Sequence, residues 1–241
     1  MTLEKNHHFI LSDIHGMYSH FTSILEKFNP ENHNLVILGD LVDRGLHSLE
    51  VITACMNLQK AYPNQVLILK GNHEDMFLNF LEHPDTETGD WYFNNGGYQT
   101  CTSFLNNEYV KIQSYEKIAE SILSKRKEEV QFLNNLPLYH ETDHIIFVHA
   151  GVNLRMEDWR NGSEKDFLWS RDMKYSKNTT SKKIVFGHTP TRTLHQNASD
   201  DIWLSLDKTM IGIDGAAAYG GQLNTVIMDS NANIVTTYFH K

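Results

Sequence analysis

The chain has 241 residues, 40% of them hydrophobic, which is enough for one large core in a single domain spanning 1–241. Its formal net charge of −9 disfavours a bulk nucleic-acid binder, but not a phosphate-handling enzyme, because bound metals bring their own positive charge. Two cysteines outside any Cys-x-x-Cys pair argue against a disulfide scaffold or zinc-thiolate site, and the lack of an apolar signal core or membrane-length run sets the expectation of a reduced, cytoplasmic location.

In chain order, residues 8–11 form an apolar run read as a strand. Helical apolar spacing follows over 18–28 (Tyr18, Phe21, Ile24, Leu25, Phe28) and is closed by Asn29-Pro30. A second strand is expected at 35–38, a helix at 48–61 closed by Pro63, a third strand at 66–69 and a helix at 74–81. This βαβαβα order implies a parallel sheet with right-handed crossovers, in which ligands bind beyond the carboxyl ends of the strands. The polar stretch 82–99 and the helical pattern to about 136 read as a mostly helical insertion overhanging those strand ends. Strands return at 138–140, 145–148, 184–186, 210–213, 223–228 and 234–238, the last two joined by a hairpin-like turn at 229–233. The expected architecture is α/β: two mixed β-sheets packed as a sandwich and flanked by helices.

Three blocks close the first three strands: Ser12-Asp13-Ile14-His15-Gly16, Gly39-Asp40-Leu41-Val42-Asp43-Arg44-Gly45 and Gly71-Asn72-His73-Glu74. Their carboxylates, imidazoles and carboxamide are donors that hard or borderline divalent metals accept. In extended backbone Asp13 and His15, two apart, would point the same way. Asp40 has two oxygens and can bridge two cations, and Asn72 adds a neutral oxygen donor. Two later apolar runs end in His149 and His188. Taken singly, each block has a plain alternative: a solvated turn at His15, a local Asp43–Arg44 ion pair at a helix start, a turn satisfied by Asn72, or a structural histidine. Five strand ends carrying Asp-x-His, Asp, Asn, His and His together argue for a two-metal site. Glu74 reads as a helix-start carboxylate suited to the dipole. The basic run Lys125-Arg126-Lys127 is followed by Glu128-Glu129 and reads as a solvated face, which speaks against a nucleic-acid phosphodiesterase.

These blocks, with Asp90–Gly97, Leu136-Pro137-Leu138, Leu168-Trp169-Ser170-Arg171-Asp172 and Ile213-Asp214-Gly215-Ala216, resemble the calcineurin-like metallophosphoesterases. Within them the chain resembles the phosphoprotein phosphatase family, and most of all its small bacterial and bacteriophage-type Ser/Thr phosphatases. The resemblance implies a first metal held by Asp13, His15 and Asp40, and a second held by Asp40, Asn72, His149 and His188. It implies His73 as general acid oriented by Asp43, and Arg44 and Arg171 as ligands of the phosphoryl oxygens. For Arg171 a surface salt bridge with Asp172 is the competing expectation. The implied cofactors are two divalent ions, manganese first and iron or zinc as alternatives, with a water activated between them as nucleophile. The implied substrate is a phosphoprotein or small phosphoester, with no nucleic-acid or membrane partner. Asp43, beside His73, would favour the imidazolium and keep its proton available near neutral pH. The group commonly has Asp-Thr-Gly where this chain has Asp214-Gly215-Ala216, a change that costs no ligand. Two other readings remain: a dinucleoside polyphosphate (diadenosine tetraphosphate) hydrolase, and a non-catalytic binding protein on the same fold.

Overall fold

The computed structural model describes residues 3–106, 110 and 112–241. Two five-stranded sheets form its centre. The first has the order β10-β9-β1-β2-β3, with β1 (His7–Leu11), β2 (His33–Ile37), β3 (Val66–Ile68), β9 (Leu223–Asp229) and β10 (Ile234–His240). The second has the order β4-β5-β6-β8-β7, with β4 (Tyr139–Glu141), β5 (Ile145–Val148), β6 (Lys183–Phe186), β7 (Trp203–Leu204) and β8 (Met210–Gly212). β1, β2 and β3 are mutually parallel, while β9 runs antiparallel to β1 and forms a hairpin with β10. In the second sheet β5, β6 and β8 are parallel, and β4 and β7 are antiparallel edges. The expected sandwich of two mixed sheets is the observed fold.

The strands alternate as a period of two demands. Ile10, Val36 and Leu67 point inward and meet Phe147, Val185 and Ile211 of the second sheet in one buried cluster. Phe9, Leu11, Leu35, Ile37, Val66 and Ile68 point outward into a larger cluster under the helices α1 (Tyr18–Leu25), α2 (Ser48–Ala61), α3 (Asn72–Glu82), α4 (Thr86–Tyr92), α5 (Tyr98–Leu105), α6 (Tyr115–Lys125) and α7 (Lys127–Asn134). A third cluster covers the far face of the second sheet, where Phe186 and Val148 meet Phe167 of α8 (Glu164–Trp169) and Leu194 of α9 (Thr191–Leu194). Each such Leu, Ile or Phe contributes about 1.5–3 kcal/mol on burial, so both sheet faces are firmly held. No helix among the described residues is long and apolar enough to cross a membrane.

The differences from the sequence reading are local. The first helix ends at Leu25 rather than Phe28: Glu26 still bonds back four residues to Thr22, but Lys27 and Phe28 close with tighter, three-residue turns onto Ile24 and Leu25. The helix after β3 begins at Asn72, not Glu74, so Asn72 and His73 occupy its first turn. The two-residue β7 carries no pattern long enough to announce itself. The helical segment 82–136 does not merely overhang the strand ends. Its residues Tyr92, Cys101, Phe104, Ile118 and Leu133 belong to the main outer cluster; residues 107–109 and 111 of this segment lie outside the described part.

Candidate metal centre

The carboxyl ends of β1, β2, β3, β5 and β6 converge, and each delivers side chains to one buried space. Asp13, His15, Asp40, Asn72, His73, His149 and His188 are all buried. Asp40 lies at the middle. His15 Nε2 is 3.4 Å from one of its oxygens and His149 Nε2 is 3.4 Å from the other. Asn72 Oδ1 lies 2.9 Å from His149 Nε2 and 2.8 Å from His188 Nδ1. Asp13 Oδ1 is 4.0 Å from His15 Nε2, and the Asp13 carboxylate accepts the His188 N–H and the Ser12 hydroxyl. Two groups, His15–Asp40–His73 and Asp40–His149–His188, each have donor atoms within 4.8 Å of one another.

The backbone is bent to do this. Asp13 (φ 56°), His15 (47°), Asp40 (55°), Asp43 (71°), Arg44 (70°) and His188 (61°) are all left-handed. Such conformations cost an ordinary residue energy, and they gather where surrounding structure over-determines them. Asp13 and His15 therefore converge from a tight left-handed turn, not from the extended backbone expected. Backbone bonds from Asp13, His15 and Gly16 to the carbonyls of Gly39, Asp40 and Leu41 lock the first two loops together. Gly39 (φ +95°) is required here, since a Cβ would meet the Gly71 backbone at 2.4 Å.

The donor chemistry fits a pair of divalent cations. His15 Nδ1 faces the Val42 carbonyl at 2.8 Å, and His149 Nδ1 faces that of Leu38 at 2.8 Å. Each ring donates there, so its Nε2 lone pair points at the carboxylate oxygens and the Asn72 carbonyl. Acceptors packed this closely repel unless a cation lies among them. Without one, burial pushes Asp13 and Asp40 well above the carboxylate range, the charges of Asp214 and Asp13 respectively adding to it. Burial likewise pushes His15 well down and His149 down to about 3. His188 is also lowered by burial and then by His149, and its Nε2 is buried without a hydrogen-bond partner. Burial thus disfavours charge on every one of these groups: the histidines are held neutral, with a lone pair available to a metal, while the two carboxyls would release their protons as a cation binds.

A second constellation lies beside the first. His73 Nδ1 is 2.7 Å from Asp43 Oδ2, and Arg44 Nη2 is 2.8 Å from His73 Nε2. Arg44 Nη1 contacts His15 Nε2, so one guanidinium joins both constellations. Its backbone is fixed by a bond to the Gly96 carbonyl (3.2 Å), and its side chain lies over the Tyr219 ring at 4.8 Å. Gly96 (φ +103°) comes so near that a Cβ would sit 2.8 Å from Arg44 N. Arg171 donates to the His188 carbonyl at 3.2 Å, which brings it to the same centre rather than into the anticipated pair with Asp172. The expectation for the His73 proton changes. Burial pushes its pKa below the usual value, and the hydrogen bond and charge of Asp43 recover only part of that loss.

Four buried residues contribute in ways that their sequence positions do not announce. Glu74 does more than suit a helix dipole. Its carboxylate accepts N–H bonds from Asp40 (2.8 Å), Leu41 (2.7 Å), Val42 (3.3 Å) and Gly71 (2.8 Å), so it pins the loop that carries Asp40 and Asp43. Tyr92 and Thr100, from the helical segment, both donate to Asp43 Oδ1 at 2.7 Å. Nothing in their spacing marks them; only the fold brings residues 49 and 57 positions downstream onto that carboxylate. Asp214 is buried near Asp13, and burial pushes its carboxyl up to about 6.

Comparison with known proteins places this geometry in context. The profile of the family described as calcineurin-like phosphoesterase matches residues 9–215. An asymmetrical bis(5'-nucleosyl)-tetraphosphatase of Anoxybacillus flavithermus is 25% identical over 90% of this chain and 88% of its own. Serine/threonine-protein phosphatase 1 of Salmonella typhimurium is 28% identical over 90% of this chain and 89% of its own. Larger relatives match in part only: the alignment covers 16% of the length of a serine/threonine-protein phosphatase of Caenorhabditis elegans, at 39% identity over 29% of this chain. Among solved structures, that of a candidate diadenosine tetraphosphatase shares the fold with a TM-score of 0.67 and 18% identity, covering 100% of this chain and 96% of that one.

Proposed function

The chain belongs to the calcineurin-like phosphoesterase family, and within that family of metal-dependent hydrolases we propose that it is a phosphomonoesterase acting as a Ser/Thr, or dual-specificity, protein phosphatase. The observation that carries this reading is the Asp43–His73 pair at 2.7 Å, with Arg44 on the second ring nitrogen. A serine or threonine alkoxide leaves poorly without a proton, whereas a nucleotide leaving group needs much less help. A dedicated, buried acid suits the first substrate class better.

In this reading Asp13, His15 and Asp40 hold one divalent cation, and Asp40, Asn72, His149 and His188 hold the other. When bound, the two ions supply an activated water and neutralise phosphoryl charge; manganese is our first assignment, with iron and zinc as alternatives. Arg44 and Arg171 clamp phosphoryl oxygens, Arg44 through its planar fork. His73 keeps Nδ1–H on Asp43; in the substrate-free arrangement its Nε2 accepts from Arg44, so this reading requires Arg44 to turn to the phosphoryl oxygens and Nε2 to take up the proton that it then passes to the departing oxygen. Burial lowers its pKa, and an incoming phosphate dianion opposes that shift by favouring the imidazolium. Tyr92 and Thr100 hold Asp43 in place and bury its charge in hydrogen bonds.

A second reading, hydrolysis of dinucleoside polyphosphates, is favoured by the end-to-end likeness to the Anoxybacillus tetraphosphatase. Turnover of a phosphoserine peptide and of diadenosine tetraphosphate by the manganese-loaded protein separates the two. Our reading expects the higher kcat/KM on the phosphopeptide; the reverse order by tenfold or more would transfer the assignment to the second reading.

A further inference from the structure

A cavity of about 530 Å³ opens beside the metal centre, between α3, α4 and α8. Its walls include Trp91 and Trp169, whose ring centroids are 6.0 Å apart. Trp169 also stands edge-on to the His188 ring at 6.0 Å. Two ring contacts therefore connect the cavity to a proposed metal ligand. Trp91 is 46% exposed, an unusual state for the largest apolar side chain. Asp75 and Glu164 line the same cavity, and Lys165 is the one cation among the lining residues. Burial raises the Asp75 carboxyl, Lys70 opposes this, and the charge of Glu164 adds a smaller contribution, which places the two carboxylates within range of each other. An indole face combined with excess negative charge attracts a cation and repels an anion.

We propose that this tryptophan-walled, acid-lined cavity is a substrate subsite that takes an arginine or lysine side chain lying near the phosphorylated residue of a peptide. The proposal rests on the phosphoprotein reading above and deepens it. An extended peptide advances about 3.3 Å per residue, so a cationic side chain one to three positions from the phosphoresidue reaches the cavity. The guanidinium stacks on Trp91 while Asp75 and Glu164 receive its N–H groups. A polyphosphate chain would meet the same carboxylates with repulsion.

Two measurements test this. Steady-state kinetics on the manganese-loaded protein compares phosphoserine peptides that differ only by Arg or Glu at each of the three positions on either side. At one position the Arg peptide is expected to lead roughly tenfold in kcat/KM, mainly through KM, the size of a partly exposed cation–π contact plus a charge pair. Trp91→Ala should bring that ratio to within about twofold, and Glu164→Lys should invert it, since charge reversal repels the Arg peptide. Independently, the four indole N–H resonances are followed by NMR during titration with argininamide, with Trp91→Phe for assignment. The Trp91 and Trp169 signals are expected to move, and to move less in Glu164→Gln. A ratio near one at all positions, a ratio that survives both substitutions, or indoles that shift with adenosine but not argininamide would overturn the proposal. Hydrolysis of diadenosine tetraphosphate with no phosphopeptide turnover would instead overturn the phosphoprotein reading, and the argininamide shifts then decide the cation subsite alone.

Discussion

Replacing Glu74 by Gln tests how the metal-binding loop is held. Its Oε2 accepts the N–H groups of Asp40 and Gly71 at 2.8 Å each, and its Oε1 accepts those of Leu41 at 2.7 Å and Val42 at 3.3 Å. An amide can accept at one end only. In Glu74→Gln two backbone donors therefore face an NH2 group, in a position with no access to water. Two orphaned donors at about 1–3 kcal/mol each give a loss of about 2–6 kcal/mol. The carboxylate is itself costly to bury, and its pKa is raised for that reason, so its removal returns part of this and places the net loss at about 2–3 kcal/mol. Against a total of about 5–15 kcal/mol this is a large fraction. Urea unfolding followed by tryptophan fluorescence should show the midpoint falling by roughly 1 M with an unchanged slope. Glu82→Gln, at the exposed end of the same helix, should stay within about 0.5 kcal/mol of the parent. A Glu74→Gln shift as small as that of Glu82→Gln would refute the account of the loop.

Asp40→Asn should lower metal content below one ion per chain after desalting, measured by inductively coupled plasma mass spectrometry, because a single residue serves both proposed sites; two retained ions would contradict the dinuclear assignment. Tyr92→Phe removes one of the two hydroxyls on Asp43 Oδ1 and should reduce kcat on a phosphoserine peptide several-fold with KM unchanged, while p-nitrophenyl phosphate turnover falls less. His8, 3% exposed, has its pKa lowered to about 4 by burial, with His140 and His7 adding and Asp229 opposing. The unfolded chain takes up this proton below about 6.5 and the native state only near 4, so stability falls by up to about 3 kcal/mol as pH drops through that window. Denaturation midpoints at pH 7 and pH 5 should therefore lie closer together in His8→Gln than in the parent.

The positions of the donor residues were legible because each follows an apolar strand, and a parallel sheet brings strand ends together. Asp13, Asp40, Asn72, His149 and His188 could be placed from that argument alone. The left-handed turns that aim them could not, since no propensity predicts φ near +55° for aspartate. Glu74 does sit in the first turn of α3, as a helix-start carboxylate should, but that local explanation is sufficient in itself and conceals its bonds to residues 40–42, which depend on the third dimension. Tyr92 and Thr100 lay hidden for the same reason, inside a segment whose helical pattern reports burial but not which polar atom the burial serves. The pull of Asp43 on His73 was foreseen, but the larger opposing effect of burial requires knowing how completely the ring is enclosed.

In the proposed mechanism His73, held by Asp43, protonates a poor leaving group. The direct measurement is kcat of His73→Asn on two substrates, a phosphoserine peptide and p-nitrophenyl phosphate, whose leaving group is stable as an anion. A loss of about 10²–10⁴ is expected on the peptide and a far smaller one on the aryl phosphate. Equal losses on both would mean that His73 serves binding or structure, and that the acid lies elsewhere.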